Sequence, residues 1–151
     1  MFKEILEKGY YCFEEEFNSW EDAIKASYQP LVKNNIVNND YINEVIRSVK
    51  KYGPYIVIIP NVAMPHSTEG AKGCNGTAIS FMKVNKPVDF DKNDEEKKAR
   101  LFFSLAAMNH DEHLKNIQGL MDVLMNEDYV DALLNVHTEE ELIKVVEKFE
   151  N

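Results

Sequence analysis

Apolar residues along the chain alternate between helical and strand spacing, and the order of the changes predicts an α/β protein. Tyr10-Tyr11-Cys12-Phe13 is aromatic enough for a short opening strand. Ser19 follows as a helix N-cap, with Glu21 and Asp22 where carboxylates favour the helix dipole. Ala23, Ile24, Ser27, Leu31 and Val32 recur at helical spacing, so one helix is expected to run to the Asn34-Asn35 pair. Asp40 is the expected cap of a second helix, with the apolar stripe Tyr41, Ile42, Val45, Ile46 and Val49, which Gly53-Pro54 ends.

Three apolar runs come next. Tyr55-Ile56-Val57-Ile58-Ile59, bounded by Gly-Pro and Pro60, has the β-branched pattern of a strand buried on both faces. Residues Gly76 to Val84 form a second expected strand. Leu101 to Met108 is a third, read as a strand and not a buried helix because the run is so short. Between these two, Lys92 to Arg100 is expected to be a charged surface loop. Leu114, Ile117, Leu120, Met121, Leu124 and Met125 predict an amphipathic helix with both methionines in its core, and Asp128 to Leu134 a shorter one. The capping-box pattern Thr138-Glu139-Glu140-Glu141 opens a last helix that buries Leu142, Val145, Val146 and Phe149. This order predicts a three-layer α/β/α sandwich, with helices on both faces of a mixed β-sheet and ligand chemistry at strand ends.

Composition narrows the function classes. A length of 151 residues with 44% hydrophobic content is expected to form one domain, 1–151, that needs neither disulfides nor a structural metal. Acidic residues outnumber basic ones 26 to 17, for a net charge of -9, which argues against binding nucleic acid or an anionic membrane surface. No run approaches the roughly 20 apolar residues that span a bilayer, and Met1 to Lys8 is too charged for a signal peptide, so a cytoplasmic protein without membrane insertion is expected. Cys12 and Cys74 lack CxxC spacing and are read as reduced thiols.

The candidate chemistry starts in Pro60-Asn61-Val62-Ala63-Met64-Pro65-His66-Ser67-Thr68-Glu69-Gly70. Each proline fixes its own φ and restricts the residue before it, so this loop holds its backbone stiffly and aims His66, with two hydroxyls and the flexible Gly70 and Gly73 behind it. A second histidine, His113, lies just after Leu101 to Met108, near the first turn of a helix that Asn109 or Asp111 can cap. Two strand ends can thus bring two histidines to one site, one as nucleophile and one donating to an anion. Neutral imidazole has the basicity to accept and release a phosphoryl group near pH 7. On composition alone, a turn-capping His66 and an interior His113 remain open readings. His110 and His137 have weaker claims and are expected to be exposed. The spacing of His110 and His113 is three, not the four of HEXXH sites, so no metal is expected; Walker, dinucleotide-fold and GxSxG motifs are absent.

The run Gly53-Pro54-Tyr55-Ile56-Val57-Ile58, followed by Ala63-Met64-Pro65-His66, resembles the IIA component of the bacterial phosphoenolpyruvate-dependent sugar phosphotransferase system. The likeness is to its mannitol/fructose class, and within it to the ascorbate-type branch. It extends to Trp20, Ala23, Ala26, Tyr41, Lys86-Pro87-Val88-Asp89-Phe90 after the second strand, and Ala106-Ala107 before His113. The resemblance implies a phosphotransferase that needs no cofactor. His66 would accept a phosphoryl group from the histidine-containing phosphocarrier protein and pass it to a cysteine of a sugar-specific IIB component, which works with a membrane IIC. His113 would hydrogen-bond that group. Ascorbate-type members usually carry an Arg shortly after the active histidine. Here Ser67, Thr68 and Glu69 follow, leaving the hydroxyls of Ser67 and Thr68, backbone N–H groups and Lys72 to meet the phosphoryl oxygens, with Lys50 and Lys51 as more distant candidates. Asn61 stands where a Gly is usual. A rival expectation is a regulatory IIA-like module whose phosphorylation state controls a separate partner chain.

Overall fold

The computed structural model describes residues 1–68, 70 and 72–150; Glu69, of the run that follows His66, lies outside the described residues, as do Ala71 and Asn151. Its elements run α1 (Phe2–Lys8), β1 (Tyr11–Glu14), α2 (Trp20–Ser27), α3 (Gln29–Lys33), α4 (Asn39–Tyr52), β2 (Val57–Ile59) and β3 (Asn61–Ala63). They continue with β4 (Ala78–Asp89), β5 (Lys98–Ala106), α5 (His110–Leu124), α6 (Glu127–Leu134) and α7 (Glu139–Glu150). The sheet is mixed, in the order β1-β4-β5-β3-β2. β1 lies parallel to β4 and β3 parallel to β5, while β4 with β5 and β2 with β3 are antiparallel.

Helices cover both faces, as the three-layer expectation requires, and the central strands show why. Along β4 and β5, residues on alternate faces are apolar and buried. Phe81 and Phe103 meet Phe2 of α1 at ring-centroid distances of 5.4 and 6.0 Å on one face. On the other face the paired Ser80 and Ser104 reach α2: Ser80 Oγ donates to the Ser27 carbonyl at 2.6 Å and Ser104 Oγ to Ser27 Oγ at 2.6 Å. Each of these buried hydroxyls thereby has a partner, which removes the cost of desolvating it.

Several elements differ from the sequence reading, each for a local reason. The single helix expected up to Asn34-Asn35 is broken at Tyr28, because Pro30 sits in the first turn of α3 and has no N–H to continue the α2 ladder. Asn38, not Asp40, caps α4; its side chain accepts from the N–H of Asp40 at 2.9 Å and of Tyr41 at 3.4 Å. Tyr55 to Ile59 is no doubly buried strand. Residues 54–56 form a turn, and Val57–Ile59 is a three-residue edge strand with Ile58 42% exposed. The chain then reverses at Pro60-Asn61, where Asn61 takes φ 74°, into the short strand β3 that the loop reading had missed.

β4 runs on through Lys86-Pro87-Val88 to Asp89, with a register shift between Lys83 and Val88 that accommodates Pro87. Lys98 already pairs with Asp89, which shortens the expected Lys92 to Arg100 loop. Helix α1 was unexpected: Phe2 and Ile5 alone bury its inner face. In α5 the buried residues are Leu120, Val123 and Leu124. Met121 and Met125 lie on the neighbouring face, 36% and 78% exposed, and are not core. No helix among the described residues is long and apolar enough to cross a membrane.

Candidate functional site

β3 and β5 run parallel, and the chain beyond the C-terminal end of each carries one of the two histidines. Beyond β3 the pairing continues into the loop, since Met64 N–H donates to the Ile56 carbonyl at 2.8 Å and Leu105 N–H to the Pro65 carbonyl at 2.9 Å. Two buried tyrosines brace the same point. The Tyr28 hydroxyl lies 2.8 Å from the Pro65 carbonyl and 2.9 Å from that of Leu105, and the Tyr41 hydroxyl donates to the Leu105 carbonyl at 3.0 Å. Tyr55 completes the frame, its hydroxyl donating to the His66 carbonyl at 2.5 Å and its ring standing edge-on to the imidazole at 5.2 Å. Thr68 Oγ1 donates to Ser48 Oγ of α4 at 3.1 Å.

The segment after the loop is equally constrained. Asn38 N–H donates to the Gly73 carbonyl at 2.9 Å, and Val37 pairs with Cys74. Gly73 has φ 83°, and a Cβ there would lie 2.2 Å from Asn38 Oδ1, the atom that caps α4. Only glycine fits, so this residue is a fixed approach point and not the flexible one its sequence suggested.

His66 Nδ1 is 2.7 Å from the Met64 carbonyl oxygen. A carbonyl only accepts, so Nδ1 carries the proton and Nε2 keeps its lone pair. Burial holds the His66 pKa below the ordinary imidazole value; the Met64 carbonyl opposes that shift, and the nearby His113 adds to it. The neutral, nucleophilic form therefore persists to lower pH than in a free imidazole. His113 is placed by α5, whose cap Asn109 accepts from Glu112 N–H at 3.0 Å. The Thr77 hydroxyl pins that turn by donating to Glu112 and accepting from Met108 N–H. Burial, and then His110, lower the pKa of His113 as well. The His66 and His113 ring centroids are 5.2 Å apart at an interplanar angle of 44°.

Both rings line a cleft of about 470 Å³, together with Tyr41, Ser67, Thr68, Gly70 and the Ala107 to His110 turn. The four singled-out residues, His66, His113, Ser67 and Thr68, are thus brought together. His110 is exposed, as expected, yet it lies on the same cleft. His137 sits elsewhere: its Nδ1 is 3.1 Å from Lys83 Nζ, far along β4. Neither Lys50, Lys51 nor Lys72 lines the cleft; Lys50 faces Glu21 at 4.0 Å and Lys51 lies over the Tyr52 ring. Among the described residues no three His, Cys, Asp or Glu side chains cluster as metal ligands would. Cys12 and Cys74 are free, and burial pushes the Cys12 thiol up to about 12, which leaves it unreactive. Sequence reasoning missed the supports Ser48, Tyr55 and Thr77 as site residues. Their signal, a polar atom on an otherwise apolar or strand position, only acquires meaning once the partners 11 to 35 residues away are known.

Residues 4–149 match the family described as "Phosphoenolpyruvate-dependent sugar phosphotransferase system, EIIA 2". The chain is 32% identical over 129 residues to the mannitol-specific cryptic phosphotransferase enzyme IIA component of Escherichia coli K12, covering 85% of this chain and 86% of that protein. It is 27% identical over 134 residues to the ascorbate-specific PTS system EIIA component of the same strain, covering 88% and 86%. In three dimensions it is similar to a putative PTS IIA domain from Streptococcus pyogenes M1 GAS, with a TM-score of 0.84, 25% identity and coverage of 99% and 96%.

Proposed function

The chain belongs to the EIIA 2 family of the phosphoenolpyruvate-dependent sugar phosphotransferase system, whose members pass phosphoryl groups between proteins, and from that premise we propose that it carries the group on His66 Nε2. The observation that carries the reading is the 2.7 Å contact of Nδ1 with the Met64 carbonyl, which leaves the lone pair on Nε2 of a residue that lines the cleft. As its lone pair forms the new N–P bond, the N–P bond of the phosphohistidine on the small phosphocarrier protein breaks and that electron pair returns to the donor imidazole. The Nδ1 proton stays in place. Positive charge that builds on the His66 ring is then held by the Met64 carbonyl dipole.

His113 donates a hydrogen bond to the phosphoryl group, while the Ser67 and Thr68 hydroxyls and loop N–H groups meet its remaining oxygens. In the onward step a cysteine thiolate of a IIB partner forms the S–P bond and the N–P pair returns to Nε2. Catalysis consists of positioning and preorganised donors, which is all that a transfer between two protein carriers requires. IIB would hand the group to a sugar taken up by a membrane IIC, ascorbate or a related sugar, and the carrier itself would act in the cytoplasm.

The test is incubation with phosphoenolpyruvate, enzyme I and the phosphocarrier protein, read by intact mass. One acid-labile, base-stable phosphoryl group is expected on the wild type and none on a folded His66→Ala variant. His113→Ala should still be phosphorylated but deliver to IIB more slowly. A His66→Ala protein that gains the same mass would overturn the assignment.

A further inference from the structure

Phosphorylating His66 would bring on the order of two negative charges into the cleft. No lysine or arginine is among the described residues that line it; their only side chains able to become cationic are His66, His110 and His113. His66 is the carrier, and His113 is half-buried against its ring. His110 differs in both respects. It is the first residue of α5, three before His113, and residues at that spacing share a helix face with Cβ atoms about 5–6 Å apart. Being exposed, it sits at the mouth of the cleft, where a phosphoryl group arrives and leaves.

We propose that His110 is a further phosphoryl-binding residue, which as imidazolium donates to an oxygen of the group on His66 and supplies the charge compensation that a lysine or arginine would otherwise give. This rests on the reading of His66 as carrier. No bond to His110 is made or broken. The charged and titratable groups around it are His66 on the loop, Tyr41 of α4, and His113, Asp111 and Glu112 on α5, with Glu112 held by the Thr77 hydroxyl. In the empty cleft, burial lowers the pKa of His113, and His110 lowers it further. A phosphoryl dianion reverses that balance, because an anion at about 4–6 Å favours the charged form of an imidazole.

The experiment compares the wild type with His110→Gln and His110→Lys, measuring kcat and KM for acceptance from the phosphorylated phosphocarrier protein across about pH 5 to 8, the range of imidazole titration. His110→Gln should still reach one phosphoryl group per chain, with kcat lowered about tenfold, which corresponds to about 1.4 kcal/mol, and KM little changed. Its rate should lose the wild type's rise towards acid pH, and His110→Lys should restore the rate and flatten the profile. An unchanged kcat and profile in His110→Gln, a loss confined to KM, or failure of His110→Lys to restore the rate would each overturn the proposal. These outcomes leave the His66 reading intact, whereas a wild-type protein that gains no phosphoryl group overturns both.

Discussion

Tyr55 contacts His66 twice, through a hydroxyl on its carbonyl and a ring edge-on to its imidazole. The first fixes the backbone from which the side chain departs, and the second limits how the ring can swing. With Thr68 Oγ1 donating to Ser48 Oγ of α4, hydrogen bonds hold both ends of the His66-Ser67-Thr68 run. Tyr55→Phe keeps the ring and removes the hydroxyl, leaving the carbonyl without this donor at a cost of about 1–3 kcal/mol. We expect a lowered melting temperature and a several-fold drop in phosphoryl acceptance that appears in kcat, while KM for the phosphocarrier protein holds. A Tyr55→Phe protein that is destabilised yet transfers at the wild-type rate would make this bond purely structural.

At the scale of elements, the hairpin β2–β3 decides whether His66 reaches the cleft, because β3 is only three residues long and its register with β5 shifts at its first residue. That register depends on Asn61 at φ 74°, a conformation in which a side chain with a Cβ is strained by roughly 1–2 kcal/mol and which Asn tolerates better than most. Asn61→Gly should therefore leave unfolding stability within about 0.5 kcal/mol, while Asn61→Val should lose about 1–2 kcal/mol or more. Equal losses in both variants, measured by denaturant unfolding, would show that the asparagine side chain and not the backbone angle matters.

The same hairpin marks what the sequence could convey. Long periodic stretches such as α4, α5 and α7 were legible from spacing, and the central strands from their apolar runs. Pro60-Asn61 is a turn dipeptide inside what looked like one strand followed by a loop. With the flanking segments at three residues each, no period could develop. His66 and His113 stood out as candidates because each follows an apolar run. The role of Gly73 could not be read, since it arises from the approach of Asn38, 35 residues earlier.

Viewed as a whole molecule, the fold gathers His66 and His113 at one end of the sheet and lowers the pKa of both by burial, and that has a thermodynamic consequence. His66 and His113 both have pKa values lowered in the folded state, chiefly by burial. The unfolded chain then binds more protons than the folded one once the pH falls below about 6.5. Stability from these groups is fully present above that value and is lost as the pH falls through their folded pKa values. The net charge of -9 acts with the opposite sign, since protonating histidines relieves self-repulsion in an acidic protein. The two contributions separate by substitution. His66→Gln removes a buried titrating group but alters the net charge by at most one, so comparing denaturant midpoints at about pH 7.5 and 5.5 isolates the local term. The wild type should lose more stability across that interval than His66→Gln does. Parallel pH dependences in the two proteins would mean that His66 protonates in the folded state as easily as in the unfolded one, and that the cleft does not hold it neutral.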